Sequence, residues 1–390
     1  MKNIVLERKE ILRPQESVDW ASEMVLNPAI IKDPKTNRIH MLVRTTGPCA
    51  GLGLPETPEP FPIFFAYAWS DDNGKNWEFD WDTPALAPAM KQEKAELWIE
   101  NGKGEKVPNY TNGCIEDPRL FWVEGECYCT AACRMFAPGP YWIHDEPTQC
   151  APEWAKGEEN PFMTQKNQTV TVMYKVDLEA LAEKDYKNAF KYITNLTSVA
   201  NGEDRDVFLF PEKMKIKGKD MYVMIHRPHH PDGYEGITET RPSIMLSAAE
   251  SIYDLADNAA YRMVLYAPTE NWQTEKVGGS TPPLPLGNGE WLFNFHGKKD
   301  SVVGYAQSFM ILKEVDDDFP EIAHICKEPW IVNEADFEKP RRFKTPCVFF
   351  TGMIESGSNL LIAYGAADER VGIMTVDYNL LLEELRKCGN

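Results

Sequence analysis

Three arginines recur at one place in a repeated unit of this chain, and clustered guanidiniums are the groups that hold phosphate and other oxyanions. The units begin Asn27-Pro28-Ala29-Ile30-Ile31, Asp117-Pro118-Arg119-Leu120-Phe121 and Phe210-Pro211-Glu212-Lys213. Each β-rich run stops at an arginine sixteen residues after its proline: Arg44, Arg134 and Arg227. A fourth unit opens at Thr281-Pro282-Pro283-Leu284 and leads into Trp291 to His296. A fifth opens at Thr345-Pro346-Cys347-Val348-Phe349 and leads through Leu360 to Tyr364 and on to Asp368. Repeated copies of one hairpin-like unit predict radial repetition, with the same end of every unit facing a common centre. Glu116-Asp117 adds two adjacent carboxylates at the start of an inner strand, where alternation lets only one aim at that centre. Alone, such a pair beside Arg119 reads as a structural ion pair. Asp117 precedes Pro118 as Asn27 precedes Pro28, however, which predicts that both line one funnel.

The elements that must position these residues read as strands. Ile39 to Val43, Ile63 to Trp69, Thr169 to Tyr174 and Met221 to Ile225 are β-branched or aromatic runs bounded by turns. Helical periodicity is confined to Leu178 to Lys187 and a C-terminal stretch, Tyr378 to Lys387. Ser70-Asp71-Asp72-Asn73-Gly74-Lys75-Asn76-Trp77 resembles the Asp-box turn of sialidase-type propellers. In such a turn Asp72 bonds its own backbone, Gly74 supplies a positive φ, and Trp77 packs onto the blade. The spacing of the units requires long insertions, for which Gly47 to Pro62, Pro84 to Thr111 and Ala137 to Gln168 are the candidates; loops of that length build binding surfaces or oligomer contacts. The expected fold is all-β: a five-bladed β-propeller with long inserted loops and a short C-terminal helix, one catalytic domain over residues 1–390.

Composition excludes several function classes. A net charge of −19 argues against electrostatic binding of nucleic acid or an anionic membrane, so a basic site must be local. No run approaches the roughly 20 apolar residues of a membrane span, nor does the N-terminus resemble a signal peptide. Together with nine cysteines that lack metal-type spacing, this predicts a cytoplasmic protein with reduced, buried thiols. His229-His230-Pro231-Asp232 has no third ligand at a helpful spacing and reads as a solvated loop, not a metal site. Lys298-Lys299-Asp300 reads as a solvated turn.

Glu116-Asp117-Pro118-Arg119, the run Asp206 to Lys213, His226-Arg227-Pro228, the strand Trp291 to Gly297 and Tyr364-Gly365-Ala366-Ala367-Asp368 together resemble glycoside hydrolase family 130. The motifs fall in the family's order over about residues 25 to 375. The resemblance implies a five-bladed propeller that cleaves β-mannosides with inversion, either by phosphorolysis to α-mannose 1-phosphate or by hydrolysis. It implies Asp117 as the acid that protonates the glycosidic oxygen, through a sugar hydroxyl, and Asn27 and Asp368 as contacts to the mannosyl unit. Arg44, Arg134, Arg205 and His226 are implied as phosphate ligands. Inorganic phosphate would be a co-substrate, and no organic cofactor is implied.

Inverting cleavage needs an acid for the leaving group and a nucleophile on the opposite face of the sugar. In a hydrolase a second carboxylate activates water, and Glu203, Glu235 and Glu239 are the candidates here. In a phosphorylase a cationic cradle replaces it: within Glu203-Asp204-Arg205-Asp206, Arg205 as the inward residue favours phosphorolysis, and Glu203 or Asp204 facing inward favours hydrolysis. Tyr67, Trp69, Tyr110, Tyr141, Trp142 and Tyr305 are aromatic candidates for stacking on a sugar face; Tyr67 and Tyr305 are the ones expected to bind substrate. The expected partner is a small oligosaccharide, with a homo-oligomer left open. A silent carbohydrate-binding propeller and a protein-interaction propeller are the readings from other classes.

Overall fold

The computed structural model describes residues 3–48, 62–89, 95–137, 152, 155, 168–256 and 258–389. Within them the chain forms a five-bladed β-propeller. The first blade orders Met24–Lys32, Ile39–Thr46, Ile63–Ser70 and Glu78–Asp80 from the axis outward. The second is Cys114–Val123, Glu126–Arg134, Val170–Val176 and Phe190–Asn195. The third is Asp204–Leu209, Lys219–Pro228, Ile244–Ala249 and Tyr261–Tyr266. The fourth runs Lys276–Gly279, Glu290–Lys299, Gly304–Val315 and Asp318–Ile325. The last pairs Val348–Ser356, Asn359–Ala366 and Arg370–Asp377 with the N-terminal strand Val5–Leu12, so both ends of the chain close one sheet.

Local chemistry explains the hairpins. Glu124-Gly125, Lys217-Gly218 and Asn288-Gly289 are two-residue connections with positive φ at both positions, the geometry that matches the twist of the strands they join. Ser70 to Trp77 folds as anticipated. Asp72 accepts from the Asn76 amide at 2.9 Å, Gly74 has φ 84°, and the Trp77 indole donates to the Gly74 carbonyl at 3.0 Å. The Leu178 to Lys187 stretch is two short helices, Leu178–Ala182 and Tyr186–Ala189, and the C-terminal helix spans Tyr378–Leu385.

Neighbouring blades are tied close to the axis. Thr351 Oγ1 donates to the Pro28 carbonyl at 2.7 Å, Thr130 Oγ1 to Val207 at 2.6 Å, and Gln307 Nε2 to Val348 at 2.8 Å. Of the anticipated insertions, Gly47 to Pro62 and Ala137 to Gln168 fall almost wholly outside the described residues, as do Tyr141 and Trp142. The described part of Pro84 to Thr111 carries a small hairpin, Trp98–Glu100 with Lys106–Pro108.

Candidate active site

The first three inner strands share a backbone device. Each ladder slips by one residue, between Leu26 and Ala29, Glu116 and Arg119, and Arg205 and Phe208. At each slip the residue that turns left-handed is a short polar one: Asn27 (φ 44°), Asp117 (φ 50°) and Asp206 (φ 57°). Asn and Asp are the non-glycine residues that best tolerate that conformation, and a bulge re-aims the side chain it carries. Three blades thus deliver one polar group each to the axis.

The register corrects the alignment by prolines. The counterpart of Pro118 in the third blade is Val207, not Pro211, because the ladder places Arg205 opposite Arg227 where the first blade places Leu26 opposite Arg44. In the second blade Arg134 lies opposite Cys114, two residues further along than Ala132, so it keeps the same face.

Asp117 is gripped from the first blade. Asn27 Nδ2 and Arg44 Nη1 both donate to its Oδ1 at 2.8 Å. The side-chain amide of Asn27 sits where only glycine fits behind it: a Cβ on Gly365 would lie 2.0 Å from Asn27 Oδ1. Burial pushes the Asp117 carboxyl up, but the charges of Arg44 and then Arg119 outweigh it and hold the group at about 2. Glu116 points to the neighbouring guanidiniums: Arg205 Nη1 donates to its Oε2 at 3.0 Å, and Arg44 Nη1 lies 3.4 Å from the same oxygen. Glu203 accepts from Arg134 Nη2 at 3.2 Å and from Thr169 Oγ1 at 3.1 Å. Burial raises that carboxyl, and Arg205 and Arg134 bring it down to about 2.

A second cluster gathers round Asp206. Arg227 Nε donates to Asp206 Oδ2 at 2.6 Å, His296 Nε2 lies 3.6 Å from the same oxygen, and Arg119 Nη2 is 3.6 Å from Oδ1. Arg119 is wholly buried and joins the clusters, donating to the carbonyls of Asp117 at 3.1 Å, Pro118 at 3.2 Å and Ser280 at 2.7 Å. Asp117 and Asp206 both line a cavity of about 280 Å³, with Glu203, Arg205, Arg227, His229, Lys276, His296, Tyr305 and Phe349. Arg227 Nη1 and His296 Nε2 are buried without a hydrogen-bond partner among the described residues. Burial, then the Arg227 charge, lowers the Lys276 ammonium to about 7.

Asp368 is half-buried, its Oδ1 3.5 Å from the Cys347 thiol. Burial raises its carboxyl above the ordinary range, against the lowering charge of Arg44. Three expectations are corrected. His226 is fully buried inside its blade, its ring held by Asp204 Oδ2 at 2.6 Å and Ser247 Oγ at 2.9 Å; strand alternation puts Arg227, not His226, on the cavity. Tyr67 is core: its hydroxyl meets His40 Nδ1 at 2.9 Å and its ring stacks on Trp69, with no exposed surface left for a sugar. Glu239 pairs with Arg241 on the surface and Glu235 is exposed on the same loop, so neither lines the cavity. Tyr110 is also buried among core side chains. Asp206, Lys276, His296, His229 and Phe349 line the cavity without having been singled out as site residues.

A buried carboxylate beside a hollow of this size, with a cationic wall across the blades, can exchange a proton with a bound group while the wall holds an anionic nucleophile. A family model described as beta-1,4-mannooligosaccharide phosphorylase matches residues 158–387. A beta-1,2-mannobiose phosphorylase of Listeria innocua is 27% identical over 325 residues, covering 77% of this chain and 82% of the relative. One of Thermoanaerobacter sp. is 24% identical over 374 residues, covering 95% and 96%. The solved structure of the Listeria innocua beta-1,2-mannobiose phosphorylase with beta-1,2-mannobiose superposes with a TM-score of 0.62 at 16% identity, covering 99% of this chain and 95% of that one, and shares the fold. The chain therefore belongs to glycoside hydrolase family 130, and it is a glycoside phosphorylase or hydrolase.

Proposed function

We propose that this enzyme breaks a β-mannosidic bond by inverting phosphorolysis, releasing α-mannose 1-phosphate and the leaving sugar. One observation carries the reading: Arg227, Lys276 and Arg205 line the same cavity as Asp117, and Arg227 Nη1 has no hydrogen-bond partner among the described residues. Cations in that position suit a phosphate nucleophile. Asn27 and Asp368 are assigned to the mannosyl unit and Tyr305 with Phe349 to its apolar face, while Arg44 and Arg134 tune the carboxylates they grip. Inorganic phosphate is the co-substrate and no other cofactor is assigned.

The proton that the glycosidic oxygen takes up traces to Asp117, directly or through a sugar hydroxyl. With its carboxyl held at about 2 by Arg44 and Arg119, Asp117 is ionised at neutral pH. A bound oxyanion beside Arg205 offsets part of the guanidinium field and raises the carboxyl's proton affinity. The nucleophile's arrival therefore moves Asp117 in the direction of protonation. The hydrolytic alternative assigns the base to Glu203, which lines the cavity; pinned between Arg134 and Arg205 and held at about 2, it is a weak base.

Both curated relatives are named for β-1,2-mannobiose, so that disaccharide is the first substrate to offer. Incubation with and without phosphate is expected to give turnover only with phosphate, and equal turnover in both rejects phosphorolysis. A second outcome concerns pH. Lys276 is protonated below about 7 and neutral above it. The specificity constant for phosphate is expected to fall up to about tenfold per pH unit above that point. Lys276→Arg should move that limb to higher pH, because a guanidinium keeps its charge there; an unchanged profile would remove Lys276 from the phosphate seat.

A further inference from the structure

The oxyanion wall contains two groups that only accept hydrogen bonds, and a phosphate seat built from cations alone has no use for them. Asp206 is the first: its carboxylate lines the cavity at the bulge position that Asn27 and Asp117 occupy in the other blades. His296 is the second. Gln307 Nε2 donates to the Val348 carbonyl, which leaves Gln307 Oε1 to accept the Ser280 hydroxyl at 2.7 Å. Ser280 Oγ then accepts from His296 Nδ1 at 3.0 Å, so the network assigns the proton to Nδ1 and leaves Nε2 bare. That bare nitrogen is buried, without a partner among the described residues, and 3.6 Å from Asp206 Oδ2. Burial holds the ring at about 3, neutral at physiological pH. Gly278 gives the pair its room, since a Cβ there would lie 2.5 Å from Asp206 Oδ2 and 2.7 Å from His296 Cε1.

We infer that Asp206 and His296 make the seat selective for an oxyanion that carries a proton, hydrogen phosphate or hydrogen arsenate, against sulfate. This rests on the phosphorolytic reading. The three anions are tetrahedral and similar in size, but near neutral pH the first two keep an O–H to donate and sulfate keeps none. Against a carboxylate and a bare imidazole nitrogen, sulfate sets lone pair against lone pair, whereas hydrogen phosphate donates to one acceptor while its other oxygens meet Arg227 and Lys276. Sites that hydrogen-bond a ligand O–H reject analogues lacking it strongly, because buried acceptors are left unpaired. Asp206 also pins Arg227 Nε and leaves Nη1 of that guanidinium, unpartnered among the described residues, for the anion.

The test titrates phosphate, arsenate and sulfate into the resting protein by calorimetry, and measures turnover of β-1,2-mannobiose with each. Wild type is expected to bind phosphate and arsenate at least about 100-fold more tightly than sulfate. Asp206→Asn, which can donate, is expected to weaken phosphate and strengthen sulfate, narrowing the ratio at least about tenfold. His296→Gln, with a donor in place of the bare nitrogen, should narrow it in the same direction and serves if Asp206→Asn does not fold. Equal affinity of wild type for sulfate and phosphate, or variants that weaken both anions alike, overturns the selectivity. Selective phosphate binding together with phosphate-independent turnover would instead sink phosphorolysis and leave the selectivity standing.

Discussion

Asp117→Asn is expected to lower turnover of a mannobiose by about 10³-fold, within the range by which positioned proton donors speed reactions. An asparagine carbonyl can still accept from Asn27 Nδ2 and Arg44 Nη1, both now 2.8 Å from Oδ1, so the site keeps its shape while losing the proton. An unchanged melting temperature would establish that. The control is an aryl β-mannoside with an acidic phenol as leaving group: it departs without protonation, and its rate should fall far less. Equal losses on both substrates would mean that Asp117 holds the sugar and does not deliver the proton. No loss on either would favour a silent binding propeller.

The largest effect on stability is expected from Arg119→Leu. Arg119 is 1% exposed and donates to three backbone carbonyls from two blades, with Asp206 beside its remaining nitrogen. Leucine replaces much of the volume but leaves those acceptors unpaired and one buried carboxylate short of a cation. Breaking such a buried arrangement costs about 3–5 kcal/mol, which a denaturant midpoint will register. Arg119→Lys should recover little of it, since a single ammonium cannot reach the same fork of acceptors. A midpoint within experimental error of wild type would show that the blades hold the two clusters without this strut.

Much of the architecture was legible because it is local. Apolar alternation, turn residues and a recurring Asn-Pro or Asp-Pro fixed the blades and brought Asn27, Arg44 and Asp117 to one place. The errors came from parity and depth. Pro211 looked like the third counterpart of Pro28 and Pro118, but the slip in that blade falls at Asp206-Val207, and the hairpin that follows is longer by the short Met214–Ile216 piece. Asp206 ahead of the apolar run Val207 to Phe210 was the available signal, in the place Asp117 takes ahead of Pro118. His226 and Arg227 illustrate parity: one residue decides which enters the blade and which the cavity. Tyr67 illustrates depth, since a strand aromatic near a site is indistinguishable in sequence from one in the core. Lys276, His296 and Phe349 come from blades far along the chain, and only closure of the ring brings them to Asp117.

The measurement that tests the account most directly is a crystal structure of Asp117→Asn with phosphate and β-1,2-mannobiose. The expected complex has the anion within hydrogen-bond distance of Arg227 Nη1 and Lys276, one face of the mannosyl ring toward it, and residue 117 near the glycosidic oxygen on the other. Phosphate bound outside this cavity, or anion and residue 117 on the same face of the sugar, would contradict it.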